Sequence, residues 1–200
     1  MLVIGLTGPT GAGKGEVSRV FSAHGIPIID ADNVYHQLLI PPSACLNELV
    51  YTFGHQILSL DGTLDRKQLG KIVFSDAPLL KKLNEITHRF VMSSIKTKLE
   101  QLKSGEVRAV VLDAPQLFEA EADKLCQIIV SVIADKQTRI SRIMNRDGID
   151  RDAALHRIAA QKSDEFFRTH SDYIIENNGN LSAILPAVKK ILEETGVMTP

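Results

Sequence analysis

The stretch Gly8 to Glu16 reads G-P-T-G-A-G-K-G-E and has the spacing G-x-x-x-x-G-K. That spacing suits one task. Glycines let the backbone curl until several N–H groups point inward, and those groups meet phosphates at a helix N-terminus. A lysine at the end of the run reaches the outer phosphates. Gly8, Thr10, Gly11, Ala12, Gly13, Lys14, Gly15 and Glu16 are therefore candidate binders of ATP, with Lys14 also a candidate catalytic group. An apolar run, L-V-I-G-L-T, precedes the loop, and V-S-R-V-F follows at helical spacing. The pattern specifies a nucleoside triphosphate, not a kinase. No N-K-x-D sequence argues for guanine.

One position departs from the usual chemistry. A Ser or Thr after the lysine would lend a hydroxyl oxygen to Mg²⁺. Gly15 has none. Glu16 is either a cation ligand or an acidic residue favoured in the first turn of a helix. Adenylate kinases resemble this loop in having Gly after the lysine, so phosphoryl transfer remains compatible with it.

Acidic residues close two further apolar runs. I-I-D-A-D brings Asp30 and Asp32, and V-V-L-D-A-P brings Asp113. Ligands of open parallel sheets bind outside the carboxyl ends of strands. If the strand continued through Asp32, alternation would turn both aspartates to one side. The other reading is that Asp30 caps a helix starting near Asn33. Asp32 and Asp113 are the candidate Mg²⁺ ligands, and a carboxylate here is the candidate base for an attacking hydroxyl.

These groups need a scaffold. Short runs rich in β-branched residues at 2–6, 26–29, 107–112 and 128–134, with a shorter one at 173–175, are expected to be buried strands. Helical spacing covers 14–23, 79–103, 137–145, 151–161 and 181–193. Alternation of the two implies βαβ units, hence an α/β fold with a parallel five-stranded sheet flanked by helices. The stretch 33–102 has no clear strand and is expected to be a helical substrate-binding insertion. Phe53, Phe74 and Phe118 are expected as core or wall residues.

Composition sets limits. Two hundred residues suit a single domain. A net charge of −1 gives no global field for nucleic acid or an anionic membrane. No apolar run approaches the roughly 20 residues that span a bilayer. The N-terminus lacks a basic segment followed by a long apolar one, so no signal peptide is expected. Cys45 and Cys126 stand far apart and are expected as reduced thiols of a cytoplasmic protein.

Taken together in order, the motifs resemble those of the dephospho-coenzyme A kinase family. They include I-G-L-T-G, G-I-P-I-I-D-A-D, F-G-H-Q-I-L with D-G-T-L-D-R, V-F-S-D, I-T-H-R, V-L-D-A-P-Q-L-F-E, R-I-M-N-R-D-G, R-I-A-A-Q and I-E-N-N-G, across residues 2–192. The resemblance implies a P-loop kinase fold. It also implies transfer of the ATP γ-phosphate to the ribose 3′-hydroxyl of dephospho-coenzyme A, the last step of coenzyme A synthesis, with ATP and Mg²⁺ as cofactors. It further implies roles. Asp32 matches the general base, His88 and Arg89 the substrate helix, and Asp113 and Pro115 the D-x-P motif near the acceptor. Arg142 and Arg146 match arginines of a lid over 137–165 that closes over ATP, with Phe166 and Phe167 packed behind it, and Asn177 to Gly179 match the turn beside adenine. Two departures stand out: Gly15 and Glu16 where the family usually has Ser and Thr, which bears on metal affinity, and Gln116 where it usually has Leu, which bears on substrate packing.

Elementary chemistry fits those roles. Phosphoryl transfer needs positioning and charge neutralisation. Arg139, Arg142 and Arg146 recur at spacings of three and four, so they share a helical face. Gly148 reads as the stop of that helix. His88 is either a substrate contact or a surface histidine on an amphipathic helix. The expected partner is a small molecule, with no nucleic acid or membrane, and the expected state a monomer or weak homo-oligomer. Two other readings stay open: a catalytically impaired ATP-binding regulatory protein of the same fold, and a different small-molecule kinase.

Overall fold

Five short runs pair side by side in the order β2-β3-β1-β4-β5 among the described residues. The coordinates are a computed structural model, which describes residues 1–105, 107–179 and 181–198. The strands are β1 (Leu2–Thr7), β2 (Ile28–Asp30), β3 (Ala109–Asp113), β4 (Ile128–Ile133) and β5 (Tyr173–Glu176). β1 lies parallel between β3 and β4, with Ile4 opposite Val111 and Leu6 opposite Val130. β5 runs parallel to β4 at one edge. A central strand of a parallel sheet is covered on both faces, so it reads as a continuous apolar run. Val3 to Thr7 are all buried accordingly.

The helices follow in chain order: α1 (Lys14–Ala23), α2 (Ala31–Gln37), α3 (Ala44–Phe53), α4 (Arg66–Val73), α5 (Ala77–Lys103), α6 (Lys136–Asp147), α7 (Arg151–Ala159), α8 (Asp164–Thr169) and α9 (Leu181–Glu194). Side-chain oxygens cap many of them. Asp30, Ser43, Asp65, Asp76, Asp150 and Ser163 each accept from backbone N–H groups at the first turn of α2, α3, α4, α5, α7 and α8. Gly148, at φ 64°, ends α6 in the left-handed conformation.

Two compact units result, 1–29 with 106–200, and 30–105. In the first, Ile4, Leu6, Phe21, Val111, Val130, Ile175, Ile184 and Val188 form a core around the sheet. The second is built of α2 to α5. Its own core gathers Leu49, Phe53, Ile57, Leu69 and Ile86, and a single antiparallel bridge, Leu58 with Leu64, is its strand-like pairing among the described residues.

Of the two readings of I-I-D-A-D, the cap holds: β2 stops at Asp30, whose carboxylate caps α2 by accepting from Asn33 N–H at 3.0 Å. The cap ends the alternation, and Asp32 falls in the first helical turn, exposed. Phe74 is not a core residue; it is 78% exposed just after α4, whereas Phe53 is buried.

Phe21 is fully buried against the sheet. Phe21→Ala is expected to destabilise the protein by about 3–5 kcal/mol through lost burial and the cavity left behind. Urea unfolding followed by circular dichroism checks this, and a loss below about 1 kcal/mol would contradict the packing.

Candidate active site

The turn between β1 and α1 is tight. Ala12 N–H donates to the Pro9 carbonyl at 3.1 Å, and Gly13, at φ 88° and ψ 29°, enters the helix in the left-handed region with no side-chain cap. No side chain caps this helix start, where the helix dipole favours an anion. Gly13 is needed for a second reason. A Cβ there would lie 2.2 Å from the Asn177 amide nitrogen. Backbone curl, uncapped helix start and Lys14 together fit a polyphosphate.

Arginines of α6 fasten the loop. Arg142 Nη1 donates to the carbonyls of Gly11 at 3.3 Å, Ala12 at 3.1 Å and Asn177 at 2.9 Å, and its Nη2 donates to Asn177 Oδ1 at 3.1 Å. Arg139 Nε donates to the Thr10 carbonyl at 2.9 Å. Arg146 Nη2 reaches the Thr10 hydroxyl at 3.5 Å. The three arginines marked by helical spacing thus all meet residues 10–12. Sequence reasoning missed Gln161, whose Oε1 accepts from Thr10 N–H at 2.8 Å. It lies in the quoted R-I-A-A-Q, but nothing local signals its target.

Asn177 is 1% exposed at the end of β5. Its Nδ2 donates to Glu16 Oε2 at 2.8 Å and more weakly to the Gly13 carbonyl at 3.5 Å. Glu16 is therefore held in the first turn of α1 by an amide donor, which matches the helix-start reading of that residue. Gly15 is exposed, and a Cβ built on it meets nothing within 4 Å.

Asp113 ends β3 and is buried, and its Oδ1 forms an ion pair with Lys14 Nζ. The pair places the loop's cation beside the β3 carboxylate at the carboxyl edge of the sheet. Pro115 follows, with its carbonyl 3.4 Å from the Thr7 hydroxyl, which donates to it. Gln116 is exposed. Phe118 packs edge-on against Phe166, with ring centroids 5.1 Å apart, and Phe166 stacks on His170 at 4.0 Å.

At the end of α6, Asp147 joins two helices. It accepts from Arg146 Nε at 2.7 Å and Nη2 at 2.9 Å, and pairs with Arg157 Nη1 from α7. The hydrogen-bonded Arg146, with Arg157 behind it, holds the Asp147 carboxyl below its ordinary range. Asp147 and Arg157 lie in the quoted R-I-M-N-R-D-G and R-I-A-A-Q, but their pairing across two helices escaped the sequence reading.

The unit 30–105 holds the remaining candidates. Asp32 lies exposed in α2, and His88 half-buried in α5. Arg89 forms an ion pair with Glu48 of α3 and lies 5.0 Å over the Phe90 ring. Both cysteines are free thiols. Burial is the main cause that pushes Cys45 up to about 11 and Cys126 up to about 12, so neither is a ready nucleophile. The described residues include no group of three or more His, Cys, Asp or Glu side chains arranged to hold a metal. No helix among them is long and apolar enough to cross a membrane.

A parallel sheet with a phosphate loop after its first strand and an arginine-bearing helix fastened to that loop defines a P-loop kinase. A family model described as dephospho-CoA kinase matches residues 2–183. The dephospho-CoA kinase of Carboxydothermus hydrogenoformans is 38% identical over 96% of this chain and 93% of its own length. Among solved structures, TT1252 from Thermus thermophilus superposes with a TM-score of 0.81 at 31% identity, covering 96% of this chain and 97% of its own. The dephospho-CoA kinase from Campylobacter jejuni gives 0.73 at 26% identity, over 98% of both chains. The chain belongs to the dephospho-CoA kinase family, and it is an ATP-dependent phosphotransferase.

The Asp147 pairing has a pH signature. Because its folded pKa is depressed, its contribution is present above the unfolded carboxyl value of about 4 and is lost as pH falls through the folded value. Asp147→Asn is expected to lower the thermal midpoint at pH 7 and to leave it unchanged once the native carboxyl is protonated. Melting curves from pH 7 down to acid check this; a deficit that persists at the acid end would assign the effect to packing.

Proposed function

We propose that this chain transfers the γ-phosphoryl group of ATP to the ribose 3′-hydroxyl of dephospho-coenzyme A, completing coenzyme A. The observation that carries the reading is the Lys14–Asp113 pair beside a loop whose helix start is uncapped, in a chain of this family. Lys14 and Arg146 neutralise charge that spreads over the phosphoryl oxygens as the bond to the leaving diphosphate lengthens, and Arg142 adds its positive field from behind the loop carbonyls that it holds. A planar guanidinium keeps its charge and binds two oxygens at once. Asp32 takes the proton of the 3′-hydroxyl as the oxygen attacks phosphorus, and ADP leaves. His88, Arg89, Asp113 and Pro115 are the acceptor-side residues. Residues 33–102 form the substrate-binding insertion and 137–165 the lid, whose closure excludes water and suppresses ATP hydrolysis. The turn at Asn177 borders the adenine.

Magnesium fits with conditions. Mg²⁺ keeps several waters and takes one or two carboxylates plus substrate phosphates. Asp113 and Asp32 are the carboxylates proposed to hold it, since Glu16 is occupied by Asn177. Bound there, the ion would neutralise phosphate charge. We further propose that the protein works in the cytoplasm as a monomer or weak homo-oligomer. The two free thiols and the absence of a global charge support this.

Purified protein mixed with ATP, Mg²⁺ and dephospho-coenzyme A is expected to yield a product heavier by one phosphate in mass spectrometry; nucleoside monophosphates are expected to yield none. No transfer at any Mg²⁺ concentration would overturn the proposal. Asp32→Asn is expected to lower kcat by about 10²–10⁴-fold, with ATP affinity retained in calorimetry. Gly15→Ser has room for its side chain, and is expected to lower the Mg²⁺ concentration for half-maximal rate by roughly tenfold, the worth of one modest ligand.

A further inference from the structure

Arg139 belongs to none of the motifs matched above, yet it is 3% exposed and placed against the loop. Its fork is divided between two targets. Nε holds the Thr10 carbonyl at 2.9 Å, and Nη1 holds Asp164 Oδ1 of α8 at 2.8 Å. Thr10 is thereby gripped from both sides, because Gln161 accepts its N–H at 2.8 Å. The backbone of α6 also presses on the next residue. A Cβ on Gly11, at φ +79°, would lie 2.8 Å from the Arg139 carbonyl oxygen.

A trans peptide is planar, so its N–H points opposite to its C=O. Fastening the Thr10 carbonyl to Arg139 therefore fixes the direction of the Gly11 N–H, away from α6. The same argument applies to Arg142, which holds the Ala12 carbonyl and so fixes the Gly13 N–H. The Ala12 N–H is already paired with Pro9. We propose that Arg139 is a positioning residue of the phosphate loop, which aims the Gly11 amide at the triphosphate through the Thr10 peptide. The proposal rests on the loop being the ATP site.

The design is costly to the fold. Arg139 Nη2 is buried with no partner among the described residues. Burial draws the guanidinium below its ordinary value, and Asp164 opposes that shift. A side chain present only for stability would fill this space better with an apolar group. A lysine carries a single ammonium on its stem and lacks the fork that reaches two acceptors in fixed geometry.

The test needs no acceptor substrate. The Gly11 amide is followed by hydrogen exchange in NMR with and without ATP, and ATP affinity is measured by calorimetry. Arg139→Gln is expected to lessen the protection that ATP gives the Gly11 amide and to weaken ATP binding by about tenfold, the scale of one charge-assisted hydrogen bond. Arg139→Lys is expected to recover part of that loss. In the coupled assay, KM for dephospho-coenzyme A is expected to stay within about twofold while KM for ATP rises. Asp164→Asn removes the second anchor at a half-exposed site, and is expected to weaken ATP binding by roughly threefold; it decides the matter if Arg139→Gln does not fold. Folded variants that bind ATP like the wild type, or that lose both substrates in equal proportion, would overturn the role of Arg139. Wild-type protein that binds no ATP would overturn the functional reading as well.

Discussion

Three consecutive carbonyls, those of Thr10, Gly11 and Ala12, are held from one side by two arginines of α6. The rest of the site depends on that grip. A glycine-rich loop has little intrinsic preference for one curl, because glycine has the most backbone freedom to lose. Steric restriction is therefore not what selects the curl; hydrogen bonds from a neighbouring helix do. Carbonyls drawn toward the guanidinium groups turn the Gly11 and Gly13 amides the other way, which is the arrangement an anion needs, while the Ala12 amide closes the turn on Pro9.

The same contacts shape the electrostatics. Guanidinium groups behind the loop raise the potential felt by a phosphate in front of it, and low exposure limits screening by salt. The acidic partners moderate this field. Asp113 faces Lys14, Asp164 faces Arg139, and Asp147 faces Arg146 and Arg157. Lys14, Arg139, Arg146 and Arg157 thus each have a resident counter-ion, whereas Arg142 is held by backbone carbonyls and the Asn177 side chain. Glu16 adds a further negative group near the loop, but Asn177 donates to it and so stabilises its charge locally.

Local features were legible in the sequence, and distant ones were not. β1, the loop and α1 follow one another, so spacing alone announced them, and α1 occupies Lys14–Ala23 as expected. The arginine face of α6 was legible because three and four residues make a turn. The partners of those arginines were hidden. Gln161 meets Thr10 across 151 positions of sequence, and no periodicity encodes such a pairing. The sequence left Asp32 between strand and helix because alternation competes with capping, and the Asp30 carboxylate decides for the helix. Phe74 looked like core or wall by residue type, but it falls just past the end of α4 and turns to solvent, whereas Val73 before it is buried.

Gln161, Asp164 and Asn177 tie the amino-terminal turn to segments after α7, beside α8 and at the end of β5. Occupancy of the turn and cohesion of those late segments are therefore linked variables. With the turn as the proposed nucleotide site, reciprocity requires that whatever loosens the carboxy-terminal third weakens nucleotide affinity, and that nucleotide in turn rigidifies that third by an equal free energy. Residues more than a hundred positions from the glycines thus set how firmly the glycines close.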